Sequence, residues 1–145
     1  MPARTVSALP PRSTKHQTLQ PPGWPAPKGY ANGIKARGEF VFVGGMVGWD
    51  ENEKFPKGFV AQAKQALENI RAVLAEGKAG PEHIVRLTWY LTSRSEYEAA
   101  GPGIGAAWKE TLGRNFPPST LLYIEGLVDY RAKVEIEVTA FVPKA

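Results

Sequence analysis

Chemistry in this chain has to proceed without thiols. It contains no cysteine, which removes disulfides, thiolate nucleophiles, iron–sulfur clusters and thiolate zinc sites together. The two histidines, His16 and His83, do not stand at a metal-ligand spacing, and no clustered Asp/Glu loop of the calcium type occurs. No metal and no cofactor are therefore expected. What remains is carboxylates, hydroxyls and arginines. Glu135 lies in the alternating stretch Lys133-Val134-Glu135-Ile136-Glu137. In a partly dry cleft such a carboxyl could move protons near neutral pH, because burial raises its pKa, whereas an adjacent arginine would lower it. In the alternative, Glu135 forms a cross-strand ion pair, for instance with Arg86, and only organises a sheet face. Tyr30 could donate a hydrogen bond to a ligand or act as a packed loop anchor beside its glycine and asparagine neighbours. Ser119 could bind a ligand oxygen, but no Ser/His/Asp arrangement or nucleophile-elbow sequence supports it as a nucleophile. The run Gly101-Pro102-Gly103-Ile104-Gly105 lacks the spacing and the strand-to-helix context of a dinucleotide fingerprint.

These residues need elements to hold them. Phe40-Val41-Phe42-Val43, a continuous apolar run, predicts a buried strand, followed by the glycine-rich Gly44-Gly45-Met46-Val47-Gly48-Trp49, where a ligand or another backbone can approach closely. From Gly58 to Glu76 the apolar residues recur at the 3.6-residue period of an amphipathic helix, with Gly77 and Gly80 as stop signals. Over Ile84–Leu91 the alternation predicts a strand with Val85, Leu87, Trp89 and Leu91 on one face and Ile84, Arg86, Thr88 and Tyr90 on the other. Ser95 and Glu98 read as a capping box opening a second helix, which Gly101-Pro102-Gly103 should kink or break. Strands over Thr120–Glu125 and Lys133–Val142 complete the chain. The order predicts an α+β fold, a mixed sheet with two helices on one face. The other face would carry Arg86, Thr88, Tyr90, Glu135, Glu137 and Phe141. That mixture is too polar for a core and too aromatic for plain solvent exposure, so packing against a copy of the chain is expected.

At 145 residues one domain is the default, large enough to bury about two thirds of its unfolded surface. No apolar run approaches the roughly 20 residues that span a bilayer, and no membrane association is expected. The net charge of +4 is unevenly spread: residues 1–38 hold six Lys/Arg and no acid, while the rest carries 12 basic and 14 acidic groups. The basic excess thus belongs to an N-terminal arm, residues 1–28, which contains seven prolines and no helical hydrophobic period. The arm has no secretory apolar core, and a cytoplasmic location is expected. Residues 29–145 form the expected folded domain. Binding of nucleic acid is not expected, since the body shows neither a recognised motif nor a basic patch with interleaved aromatics.

Across about residues 30–143 the chain resembles the Rid family (reactive intermediate deaminase, YjgF-like). Three segments carry the resemblance: Tyr30 followed by Phe40-Val41-Phe42-Val43-Gly44-Gly45, the helix Gln62-Ala63-Lys64-Gln65-Ala66-Leu67-Glu68-Asn69-Ile70, and Phe116-Pro117 paired with the terminal Lys133-Val134-Glu135-Ile136-Glu137. The resemblance implies a chorismate-mutase-like trimer with ligand clefts between subunits, and hydrolysis of reactive enamines and imines to carbonyl compounds and ammonia. It puts Tyr30 at a cleft-lining tyrosine and Glu135 at the glutamate that positions water. Departures accompany these matches. The deaminating members carry an arginine two residues after the Phe-Pro pair, gripping a substrate carboxylate, and here that position is Ser119; a cleft serine is replaced by Gly44 and a glutamine by Met46. Arg86 and Arg131 are the candidates to replace the lost anchor, and Met46 and Trp49 could line a more apolar pocket. The expected ligand is a small molecule; a binding oligomer that has lost the chemistry is the alternative, and an RNA-related function is a weaker one.

Overall fold

The computed structural model describes residues 16–144; the first fifteen residues of the arm lie outside the described residues. Four strands form the main sheet: β3 (Glu39–Val47), β4 (Ile84–Leu91), β5 (Ser119–Tyr123) and β6 (Val134–Val142), in the order β3-β6-β4-β5. Two further short strands, β1 (Gln17–Leu19) and β2 (Gly33–Lys35), pair with each other, with Thr18 opposite Ile34. The arm therefore contributes a strand that its proline content hides. Only β4 and β5 run parallel; the other main-sheet pairs are antiparallel. A parallel pair needs a long crossover, and the chain supplies it with α2 (Arg94–Ala100) and α3 (Pro102–Leu112). The architecture is α+β.

Helix α1 (Phe59–Glu76) starts one residue after Gly58 and stops at Gly77, as its periodicity predicts. Its buried face, Ala63, Ala66, Leu67, Ile70 and Leu74, packs against Val43, Leu87, Leu91, Val134, Ile136, Val138 and Ala140 from the sheet. Leaving water contributes roughly 1.5–3 kcal/mol for each large aliphatic side chain, so this layer is the main source of stability. The second predicted helix is in fact two, because Gly101 takes φ 42° and ψ −120° and Pro102 opens α3. The cap also differs from expectation. Ser93, not Ser95, is the N-cap of α2, its hydroxyl accepting from the Glu96 N–H at 3.2 Å.

Two strand readings need correction. Ile84 rather than Val85 is buried with Leu87, Trp89 and Leu91, because the ladder with β6 slips between Ile84 and Arg86, which sit opposite Ala140 and Thr139; a bulge moves one residue to the other face. The run Phe40–Val43 is not buried throughout: Phe40 and Phe42 are 60% and 70% exposed while Val43 is in the core. Helices cover only one face of the sheet, and alternate side chains of β3 point to the uncovered one.

A cavity on the helix side and a carboxylate on the other face

The sequence places the start of β5 after two prolines, and the geometry there is tight. The Pro117 carbonyl accepts from the Ser119 hydroxyl at 3.0 Å and from the Ala31 N–H at 3.4 Å. The Pro118 carbonyl accepts from the Leu87 N–H at 3.0 Å. This stitching brings the Tyr30 turn against the edge strand. Tyr30 and Ser119 consequently line one cavity of about 680 Å³, within the size range of small-molecule sites. Trp89 from β4, Trp108 from α3, Leu121 from β5 and Phe116 from the connecting loop supply its apolar wall. Trp108 is fixed by donating its indole N–H to the Asn115 carbonyl at 3.1 Å, while Asn115 donates its side-chain amide to Leu112 at 2.7 Å. Tyr30 and Ser119 also border a neighbouring depression of about 440 Å³ together with Arg86, which lies on the opposite side of the β5 edge.

Arg86 reaches the uncovered sheet face as well, where a third depression is lined by Gly44, Thr88 and Glu137 among others. Glu135 belongs to this face. It sits opposite Tyr90 on one side and Val47 on the other, and its carboxylate lies over Gly45, where a Cβ would collide with it. The β3–β6 register slips between Val43 and Met46, a bulge that makes this approach possible. The cross-strand pairing of Glu135 with Arg86 is not formed. Arg86 is opposite Thr139, four residues further along β6, a separation of about 13 Å at 3.3 Å per residue. Beside Glu135, the Tyr90 hydroxyl donates to Glu137 at 2.6 Å. That bond, followed by desolvation and by the charges of Glu137 and Glu135, raises the Tyr90 phenol above its ordinary value.

The remaining predicted residues lie elsewhere. Met46 is paired with Ile136 and packs against the core, so it is turned to the helix side and away from Glu135. Trp49 lies against Phe55, ring centroids 5.8 Å apart, and its carbonyl accepts from Asn69 at 2.8 Å. Arg131 is occupied in its loop: it donates to both Asp129 oxygens, at 3.0 and 2.6 Å, and its guanidinium sits 4.8 Å from the centre of the Phe55 ring. The loop is tied to α1 by buried Gln62, which donates to the Arg131 carbonyl at 3.0 Å and accepts from the Lys133 N–H at 2.8 Å. Sequence reasoning missed the cavity wall. Trp89 reads from its alternation only as one face of a strand, and nothing local marks it or Trp108 as bordering a cavity that forms only where α3 and β5 converge. Among the described residues no group of three or more His, Cys, Asp or Glu could hold a metal ion, and no helix is long and apolar enough to cross a membrane.

A family model described as endoribonuclease L-PSP matches residues 24–142. The chain belongs to this family, the Rid or YjgF-like proteins. A RutC family protein of Aquifex aeolicus is 27% identical over 124 residues, covering 84% of this chain and 96% of the relative. The mitochondrial protein MMF1 of Saccharomyces cerevisiae is 30% identical over 95 residues, covering 65% of this chain and 61% of its own length. Among solved structures, the Rid protein YyfB of Yersinia pestis superposes with a TM-score of 0.77 at 24% identity, covering 88% of this chain and 98% of that one. RidA from Psychrobacter gives a TM-score of 0.64 at 26% identity, covering 87% and 99%. The mixed sheet with its helices on one face is thus the Rid fold.

Proposed function

We propose that this Rid protein is a hydrolase of a small reactive imine or enamine, working in clefts between the copies of a homotrimer. The observation that carries the reading is a division of the site. Tyr30 and Ser119 border a cavity on the helix side of the β5 edge and the depression beyond that edge that holds Arg86, whereas Glu135 stands two strands away on β6 and faces the uncovered side. Glu135 lines none of these depressions, and a second copy packed against the uncovered face can complete a cleft that holds all three groups. In that cleft a water held by Glu135 adds to the C=N carbon while the nitrogen takes up a proton. The Glu135 carboxylate accepts that proton from the water and passes it to the nitrogen, giving a carbinolamine; it then takes the carbinolamine hydroxyl proton and passes it to the nitrogen as the C–N bond breaks, so that a carbonyl compound and ammonia leave. An enamine enters the same path after protonation at carbon.

The Ser119 hydroxyl is already donated to Pro117, and a hydroxyl offers none of the bidentate, charge-assisted grip of a guanidinium. Short-chain imino acids, which depend on that grip, are therefore expected to be poor substrates, and Ser119→Arg should improve them. The test is ammonia release from imines generated in situ, with and without a carboxylate, at equal folded concentrations of wild type and Glu135→Gln. The expected result is acceleration that falls by about 10²-fold or more in the variant. Equal rates for the two proteins would overturn the role of Glu135. The replacement of the family's cleft serine, glutamine and arginine by Gly44, Met46 and Ser119 favours one other reading, a cleft that binds without turnover. No ammonia release on any imine, with a thermal shift equivalent to about 2.7 kcal/mol at 100 times the dissociation constant, would favour that reading.

A further inference from the structure

The wall of the cavity beside Tyr30 combines two features that Ser119 does not account for. The first is a ladder of rings. Trp108 lies between Trp89 and Phe116, with centroids 6.3 and 6.4 Å away and interplanar angles of 22° and 7°. Trp89 is almost completely buried, Trp108 is partly buried, and Phe116 at the outer end is 44% exposed. A near-parallel stack that ends on an open ring offers its next position to another flat π-system. The second feature is charge. Lys28, Lys109 and Arg114 all line this cavity, and no aspartate or glutamate does. None of the three makes an ion pair among the described residues. Three basic groups from the Tyr30 turn, from α3 and from the loop after it thus surround an aromatic wall without a counter-charge. That arrangement selects a planar anion, whose ring is held by stacking and whose charge is met at the rim.

We infer that the cavity takes aromatic carboxylates, and that the substrate of this protein is an imine or enamine carrying an aryl group and a carboxylate. The anion is anchored by Arg114, Lys109 and Lys28 rather than from the β5 position held by Ser119. The substrate class rests on the proposed hydrolase function; the binding preference does not. A mononucleotide has the same chemistry, a flat ring and an anion, and the volume of about 680 Å³ suits either as a single molecule. Two lysines and one arginine round a compact cavity do not form a track along a phosphate backbone, which sets a nucleic-acid strand aside; the titration below separates the aryl carboxylate from the mononucleotide.

The test is calorimetric titration of the full chain in its native oligomeric state with phenylacetate, indole-3-acetate, cyclohexaneacetate, phenylacetamide, uridine monophosphate and a single-stranded RNA oligomer. Phenylacetate is expected to bind roughly 2- to 12-fold more tightly than cyclohexaneacetate, the range of one aromatic contact, and about tenfold or more tightly than uncharged phenylacetamide. Indole-3-acetate should bind at least as tightly as phenylacetate. The double variant Lys109→Gln/Arg114→Gln should weaken both aryl acetates by about tenfold or more, and Phe116→Leu, at an exposed ring, by a few fold. Equal affinity for phenylacetate and cyclohexaneacetate, no loss in the double variant, or tighter binding of uridine monophosphate or RNA than of indole-3-acetate would overturn the inference. Failures at the two levels separate cleanly. Aryl acetates that bind as described, with no Glu135-dependent ammonia release on any imine, would defeat the hydrolase and leave the site. Glu135-dependent release from aliphatic imines that aryl acetates neither inhibit nor displace would do the reverse.

Discussion

Gly45 is the residue whose missing side chain matters most to Glu135. Any Cβ at that point would run into the carboxylate, so Gly45→Ala should push Glu135 out of position with little disturbance of the distant core. Misplacement of a reacting group by about 1 Å costs on the order of 10²-fold in rate, while the clash is with the end of a flexible side chain that can swing aside at little cost in stability. The expected outcome is a large fall in kcat/KM for imine hydrolysis with modest loss in urea denaturation. Retained activity would detach Glu135 from the chemistry. A second residue-scale expectation concerns Asp129. Its carboxyl is held at about 2, against an ordinary 3.8, first by the side-chain hydrogen bond from Arg131 and then by the Arg131 backbone N–H. Because the folded value is the lower one, the stabilisation is complete above about 3.8 and is lost as pH falls through about 2. The pair is solvent-exposed, which keeps its effect on global stability small. A site-resolved NMR titration should place Asp129 near 2 in the wild type and nearer 3.8 in Arg131→Gln; a wild-type midpoint at 3.8 would show that the pair does not form in solution.

At the scale of elements, the join between α2 and α3 and the buried face of α1 are the most exacting. Gly101 has φ 42° and ψ −120°, a conformation that a residue with a Cβ adopts only under strain. Gly101→Ala should cost about 1–3 kcal/mol, and it should also loosen α3, which carries Trp108 and Lys109 into the cavity wall. Leu67 is completely buried beneath α1, so Leu67→Ala should cost about 2–5 kcal/mol. Urea denaturation measures both. A Leu67→Ala loss much below 2 kcal/mol would mean that the layer between α1 and the sheet collapses to refill the space.

For the molecule as a whole, the uncovered sheet face is the outstanding feature. Phe40 and Phe42 stack on each other at 5.3 Å, Phe40 contacts Phe141 at 4.1 Å, and Phe40 and Phe42 remain largely exposed in a single chain. A cluster of large apolar side chains on a flat sheet face is the mark of an interface. Sedimentation velocity is expected to give a species of three times the 15.8 kDa chain mass. Phe42→Glu should shift it toward monomer and, if the cleft needs a second copy, abolish hydrolysis along with assembly. A trimer that loses no activity when dissociated would argue against an intersubunit site.

The helix over Phe59–Glu76, the alternating strand that ends the chain and the break at Gly101-Pro102 were legible in the sequence because each depends on neighbours a few residues away: a hydrophobic period, an alternation of two, a residue without a Cβ before one without an N–H. The same locality explains the errors. The Ser93 cap and the Ile84 bulge shift the reading by one or two residues, and what decides between adjacent candidates is the packing of β4 against β6 and of α2 against its neighbours. The site was legible only as separate residues. Sequence order cannot show that Ser119 and Tyr30 meet at a cavity while Glu135 faces the other side, since strand order β3-β6-β4-β5 arises from pairings between residues far apart in the chain. Nor can it show Lys28, Lys109 and Arg114 around one stack of rings; those side chains come from three segments, and only the docking of α3 and the Tyr30 turn on the sheet brings them together.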